Sequence, residues 1–183
     1  MTSQLSAHAL GLTPPASWLS SILWALAWLL LMLAYSPLAD KIATRLVPTP
    51  PTLNAFRALQ QSKAKLVLGI VVAWILGGFL EELILRGLIL QSVRAWLAPR
   101  LPVPVAAAIA IFAAAAFAAG LHFYQGTRAV IIITQLSILF GLLFVLAGSN
   151  LWTVILCHGF YDTIGFIRFA RKKSKYANLE PAS

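Results

Sequence analysis

The chain has 183 residues, of which 60% are hydrophobic and only 10% charged, with a formal net charge of +9. A soluble domain of this size would carry roughly a quarter charged residues to give it a polar skin. Most of this surface must therefore face something other than water, in keeping with a mean hydropathy of +0.86, and the single cysteine, Cys157, excludes an internal disulfide framework.

The positive charge does not point to nucleic acid, because the basic residues flank apolar stretches and do not alternate with exposed aromatics. Lys41, Arg45, Arg57, Lys63 and Lys65 follow the first stretch; Arg168, Arg171, Lys172, Lys173 and Lys175 follow the last. Such placement sets topology and favours contact with anionic lipid.

In chain order, residues 1–15 are polar and uncharged and end at Pro14-Pro15. Trp18 to Tyr35 then gives about 18 almost wholly apolar residues, enough to span a bilayer. The stretch lacks a basic leader and a small-residue cleavage site, so it is expected to be a retained anchor. Residues 37–65 read as one long connection, with Pro48, Pro50 and Pro51 breaking any helix and Thr52 to Lys65 lying as a short basic interfacial helix. A second apolar stretch, Leu66 to Leu97, is longer than a straight span needs. It is expected to tilt, to bend near Gly77-Gly78, or to emerge around Arg94.

Pro104 to Phe123 is rich in alanine and lets neighbouring backbones approach. Ala129 to Gly148 forms a fourth span, a tight Gly148-Ser149-Asn150 turn follows, and Leu151 to Ala170 forms the fifth, before a polar and flexible tail from Arg171. The expected fold is all-α, a polytopic membrane bundle of about five transmembrane helices around a polar cavity. Residues 1–65 form an anchor and basic connection, 66–170 a core, and 171–183 a tail. With the N-terminus outside, almost all the Lys and Arg fall on the cytoplasmic side, as the positive-inside rule asks, and the C-terminus is cytoplasmic.

The acidic residues are the informative ones. The chain has only five, and Glu81, Glu82 and Asp162 lie inside apolar stretches, as do His122 and His158. An aspartate at the middle of a span costs about 2.5–3.5 kcal/mol on insertion scales, so ionisable groups at that depth are functional candidates. Glu82 and Arg86 are four apart on one helix face, acid before base, and can neutralise each other. Glu81 points about 100° away, towards the face of Gly77 and Leu85, and has no partner on its own helix. Shielded from water, it is suited to accept a proton near neutral pH. His158 and Asp162 are again four apart, and His122 ends the third stretch. Three helices can thus aim Glu81, His122, His158 and Asp162 into one cavity.

These residues carry a resemblance. Glu81-Glu82-Leu83-Ile84-Leu85-Arg86 resembles the EExxxR motif of the CPBP family, the CAAX proteases and bacteriocin-processing enzymes. His122-Phe123-Tyr124-Gln125-Gly126 looks like that family's second motif, and His158-Gly159-Phe160-Tyr161-Asp162 like its HxxxN/D motif, preceded by Asn150-Leu151-Trp152. The resemblance covers residues 66–170 and implies an intramembrane glutamic endopeptidase acting on a peptide or a membrane protein. It implies Glu81 as base with His122 as partner, His158 and Asp162 at the oxyanion, and Glu82 with Arg86 in support. Two positions depart from the pattern. Ala118 stands four before His122 where the family has Phe, with Phe117 one earlier as a packing residue. Position 162 is Asp, whose carboxylate would repel an oxyanion unless it orients His158 instead.

No cofactor is required by this scheme. The rival within catalysis is a zinc-dependent protease with Glu81, His122 and His158 as ligands, although no HExxH is present. Outside that class stand a non-catalytic immunity or scaffold protein and a proton-coupled transporter, the latter small and without an inverted repeat. Gly77-Gly78 are expected to allow close packing, Cys157 to be buried and inert, and Trp18 and Trp152 to sit as interfacial anchors.

Overall fold

The computed structural model describes residues 6–176, so residues 1–5 of the expected polar leader and 177–183 of the expected tail lie outside it. Five long helices form: α1 (Trp18–Leu46), α2 (Lys63–Leu97), α3 (Val103–Leu121), α4 (Thr127–Leu146) and α5 (Leu151–Tyr176). Among the described residues there is no strand. Helices α1 to α4 are each long and apolar enough to cross a membrane. The remaining long helix, α5, carries His158, Asp162 and Arg168 and is less apolar. It packs on α1, on the first half of α2 and on α4, while α3 packs against α4 and the end of α2. This is a polytopic helical membrane protein.

Local chemistry explains most of the helix ends. Ser17 Oγ accepts from the Ser20 amide at 3.2 Å to start α1, and Ser62 Oγ does the same for Lys65 at the start of α2. Asn150 Oδ1 accepts from the Thr153 amide and starts α5. In α3, Ala106, Ala110, Ala114 and Ala118 are all buried, and this stripe of small residues lets α4 settle against it.

Three expected boundaries are corrected. The first helix does not stop near Tyr35 but runs through Pro37 to Leu46. An interior proline costs the helix one amide donor and a clash with the carbonyl four residues back, but beyond it Ala39 and Ala43 are fully buried one turn apart, so packing carries the helix on. At the other end, the segment from Arg171 to Tyr176 continues α5 in place of a flexible tail. The interfacial helix expected over Thr52 to Lys65 is shorter than that: a 3₁₀ strap covers Asn54–Gln60, and α2 already begins at Lys63. Leu59, the strap's buried residue, fills the notch left by Gly69, and Phe56 lies against Phe166 with ring centroids 5.5 Å apart.

The second helix is continuous past Gly77-Gly78. Its turns widen there, with π-type hydrogen bonding over Trp74–Glu81 and Leu83–Leu90. Such i→i+5 segments frequently mark functional sites. The glycines serve close approach: a Cβ on Gly78 would sit 3.6 Å from the Gly159 backbone of α5. At the opposite end, the leader docks on the α4–α5 turn. The Leu151 amide donates to Gly11 O and Trp152 Nε1 to Leu12 O, both at 2.9 Å, so Trp152 is an internal tie as well as a residue near a span end.

The crossing of α2 and α5 makes a prediction. A Cβ on Gly159 would fall 2.5 Å from the Trp74 ring, which is itself held by a hydrogen bond to Thr163. Gly159→Ala should destabilise the fold by about 1–3 kcal/mol through overpacking, read as a lower unfolding midpoint in detergent. An unchanged midpoint would contradict this account of the crossing.

Candidate active site

Glu82 and Arg86 lie on one face of α2 and are almost wholly buried, at 0% and 1% exposure. Arg86 Nη1 donates to Glu82 Oε1 at 3.1 Å, so the expected pair forms. It does not close on itself. The same carboxylate oxygen accepts from His158 Nδ1 on α5 at 2.6 Å. Arg86 Nη2 donates to both the carbonyl and the hydroxyl of Ser137 on α4, each at 2.8 Å. Three helices are therefore joined through two charged side chains.

The proton on His158 follows from its neighbours. Glu82, beside a guanidinium, is the acceptor, so Nδ1 carries the hydrogen. Nε2 faces Asp162 Oδ2 at 3.5 Å, one turn along α5. Phe140 stacks on the imidazole with centroids 4.6 Å apart, and the Arg86 guanidinium lies 5.5 Å over the other end of that contact. Gly77 leaves the space Asp162 needs, because a Cβ there would come within 2.9 Å of Oδ2.

His122 caps the C-terminus of α3. Its Nδ1 lies 2.8 Å from the Ala118 carbonyl, which can only accept, so the neutral ring carries its hydrogen on Nδ1 and leaves the Nε2 lone pair free. Position 118 thus contributes its backbone. Phe117, expected as a packing residue, is 48% exposed on the outer face of α3.

A cavity of about 540 Å³ brings the predicted residues together: Glu81, Arg86, His122, His158 and Asp162 all line it. Glu82 lies behind its wall, reaching the cavity through His158. Among the described residues Glu81 makes no ion pair, so its oxygens remain open to the cavity. Leu85, one turn on from Glu81, is fully buried and does not line the cavity. The cavity extends away from these polar groups past Gly69, Val72 and Leu76 to Phe56 and Leu59 of the strap and Phe166. Cys157 is buried in the apolar core and does not line it. Among the described residues no group of three His, Cys, Asp or Glu side chains is arranged to hold a metal ion.

Sequence spacing could not find Ser137 and Phe140. Neither belongs to a motif, and the partners they touch are on other helices.

The family described as type II CAAX prenyl endopeptidase, Rce1-like, matches residues 63–164, more than half of the chain. The chain belongs to that family. Membership makes it a CAAX-type endopeptidase in general terms, and the matched region runs from the start of α2 to the middle of α5, enclosing every residue of the polar cluster. Comparison with curated proteins and with solved structures gives no match.

Removing one partner of a buried pair leaves a charge without compensation, at about 3–5 kcal/mol. Arg86→Met should therefore lower stability by that order, and adding Glu82→Gln should restore part of it. Equal midpoints for Arg86→Met and the wild type in thermal unfolding would contradict the pairing.

Proposed function

We propose that the protein is an intramembrane endopeptidase of glutamic type, in which Glu81 and His122 activate a water and His158 stabilises the oxyanion. The single observation supporting this most is that Glu81, with no ion-pair partner among the described residues, opens into the same cavity as both imidazoles. Zinc-dependent chemistry would need Glu81, His122 and His158 to converge as ligands. His158 Nδ1 is engaged by Glu82, and its Nε2 faces Asp162.

The reaction runs as follows. A water held between Glu81 and His122 Nε2 gives its proton to Glu81, and its oxygen adds to the scissile carbonyl carbon. The carbonyl oxygen becomes an oxyanion. His158, with Nδ1–H fixed on Glu82, offers Nε2–H to that oxygen when the ring is protonated, and Asp162 orients the same edge as an acceptor. Collapse of the intermediate breaks the C–N bond as the proton on Glu81 passes to the leaving amine. The apolar arm of the cavity, ending at Phe56, Leu59 and Phe166, would take the hydrophobic part of a peptide or membrane-protein substrate. Membrane lipid is the other partner, nucleic acid is none, and the basic ends of α1 and α5 would lie on the cytoplasmic face of the cell membrane, with the N-terminus outside.

Purified protein should cleave a member of a peptide library that includes prenylated and unprenylated sequences, and Glu81→Gln should lower kcat by about 10²–10⁴-fold with the fold intact. Cleavage that survives Glu81→Gln would defeat the reading. A phenotype in cells that survives it would favour a non-catalytic immunity or scaffold role, and loss with chelator restored by zinc would favour the metal-dependent version. Asp162→Asn should reduce kcat severalfold if acceptance from His158 is what position 162 supplies; undiminished activity would assign it a donor role at the oxyanion.

A further inference from the structure

We propose that Ser137 and Phe140 of α4 are positioning residues for the hydrolytic site, holding the two ends of the Arg86–Glu82–His158 chain of contacts. The inference rests on the function proposed above and extends it to a helix whose residues at these positions belong to none of the three motifs. Ser137 and Phe140 are three apart, so they share one face of α4, and that face meets the site. Both are buried, at 5% and 4% exposure.

Each holds a different end. Ser137 takes Arg86 Nη2 with two acceptors, its carbonyl and its hydroxyl, at 2.8 Å each. A guanidinium anchored on that side has its Nη1 edge fixed towards Glu82 Oε1, where it donates at 3.1 Å. That oxygen is in turn the acceptor for His158 Nδ1. Without the hydroxyl, Arg86 keeps its contact with the carboxylate but loses one of the two bonds that define its plane. The Glu82 carboxylate, whose other oxygen Oε2 has no hydrogen-bond partner among the described residues, then faces a less firmly fixed guanidinium. Phe140 acts on the ring itself. Its face lies nearly parallel to the imidazole, at 25° between planes, and so sets the direction in which Nε2 points into the cavity. Charge position and ring plane are thus set from one helix.

A packing role alone would predict loss of stability without change in the site's chemistry. Two readouts separate the alternatives. In kinetics, Ser137→Ala should lower kcat by about tenfold, since small displacements of a catalytic group have large rate effects, while KM stays within about twofold. Ser137→Thr, which keeps the hydroxyl, should recover most of the loss. Thr134→Ala, which removes a hydroxyl bonded, among the described residues, only to its own helix at Val130 O, should leave kcat unchanged.

The second readout does not need a substrate. In protein carrying ¹⁵N-labelled histidine, the proton-bearing Nδ1 signal of His158, assigned by its loss in His158→Gln, should shift in Ser137→Ala and in Phe140→Leu but not in Thr134→Ala. If wild-type protein cleaves no peptide, the proposed function fails while this signal still decides the positioning. If Ser137→Ala does not fold, Phe140→Leu carries the same test. Unchanged His158 signals in Ser137→Ala and Phe140→Leu would overturn the proposal, as would a Ser137→Ala variant whose kcat matches the wild type.

Discussion

The structure depends on a buried carboxylate shared between an arginine and a histidine on different helices. Glu82 Oε1 accepts from Arg86 on its own helix and from His158 on α5, and all three residues are buried. A buried ion pair is not an efficient way to stabilise a fold, since apolar residues of similar volume often do as well or better. Here Glu82 Oε2 and Arg86 Nε even remain without hydrogen-bond partners among the described residues. An arrangement so poor in economy is better understood by what it orders. It puts a hydrogen on His158 Nδ1, and so fixes which edge of the ring is turned towards Asp162 and the cavity.

The rest of the bundle makes that arrangement sustainable. Helix α5 carries the polar residues and packs against α1, α2, α4 and the strap. Lipid contact falls to the apolar outer faces, where Leu19, Leu23 and Leu30 of α1 and Val67 and Leu68 of α2 are exposed. Glycines set the distances within. Gly77 admits the Asp162 carboxylate, Gly159 admits the Trp74 ring, and the wide turns of α2 present Glu81 to the cavity while Glu82 goes behind its wall. Adjacent glutamates thereby take different parts: one meets the cavity and the other supports the imidazole. Helix α1 lies outside the matched family region but still reaches the site, through Ser36 and the Tyr161 hydroxyl at 2.7 Å.

Much of this was legible in the sequence, for physical reasons. Long apolar runs have few alternatives to spanning helices, and ionisable residues within them stand out because membrane burial makes them costly. The i,i+4 pairs Glu82–Arg86 and His158–Asp162 are local, so spacing alone identified them. What escaped was non-local. Helix spacing treats Glu82 as satisfied by Arg86, and only the crossing of α2 and α5 brings it to His158. The extension of α1 through Pro37 depends on burial of Ala39 and Ala43 against neighbouring helices, and the proline signal taken alone reads the other way. The widened turns around Glu81 leave no clear mark in composition.

The most direct test is a double-mutant cycle on unfolding free energy in a membrane-like environment, with Glu82→Gln, His158→Gln and the pair combined. A hydrogen bond to a charged group predicts a coupling of about 1.5–3 kcal/mol between the two positions. Effects that add to within about 0.5 kcal/mol would mean that Glu82 and His158 do not hold each other, and the arrangement built on their contact would be wrong.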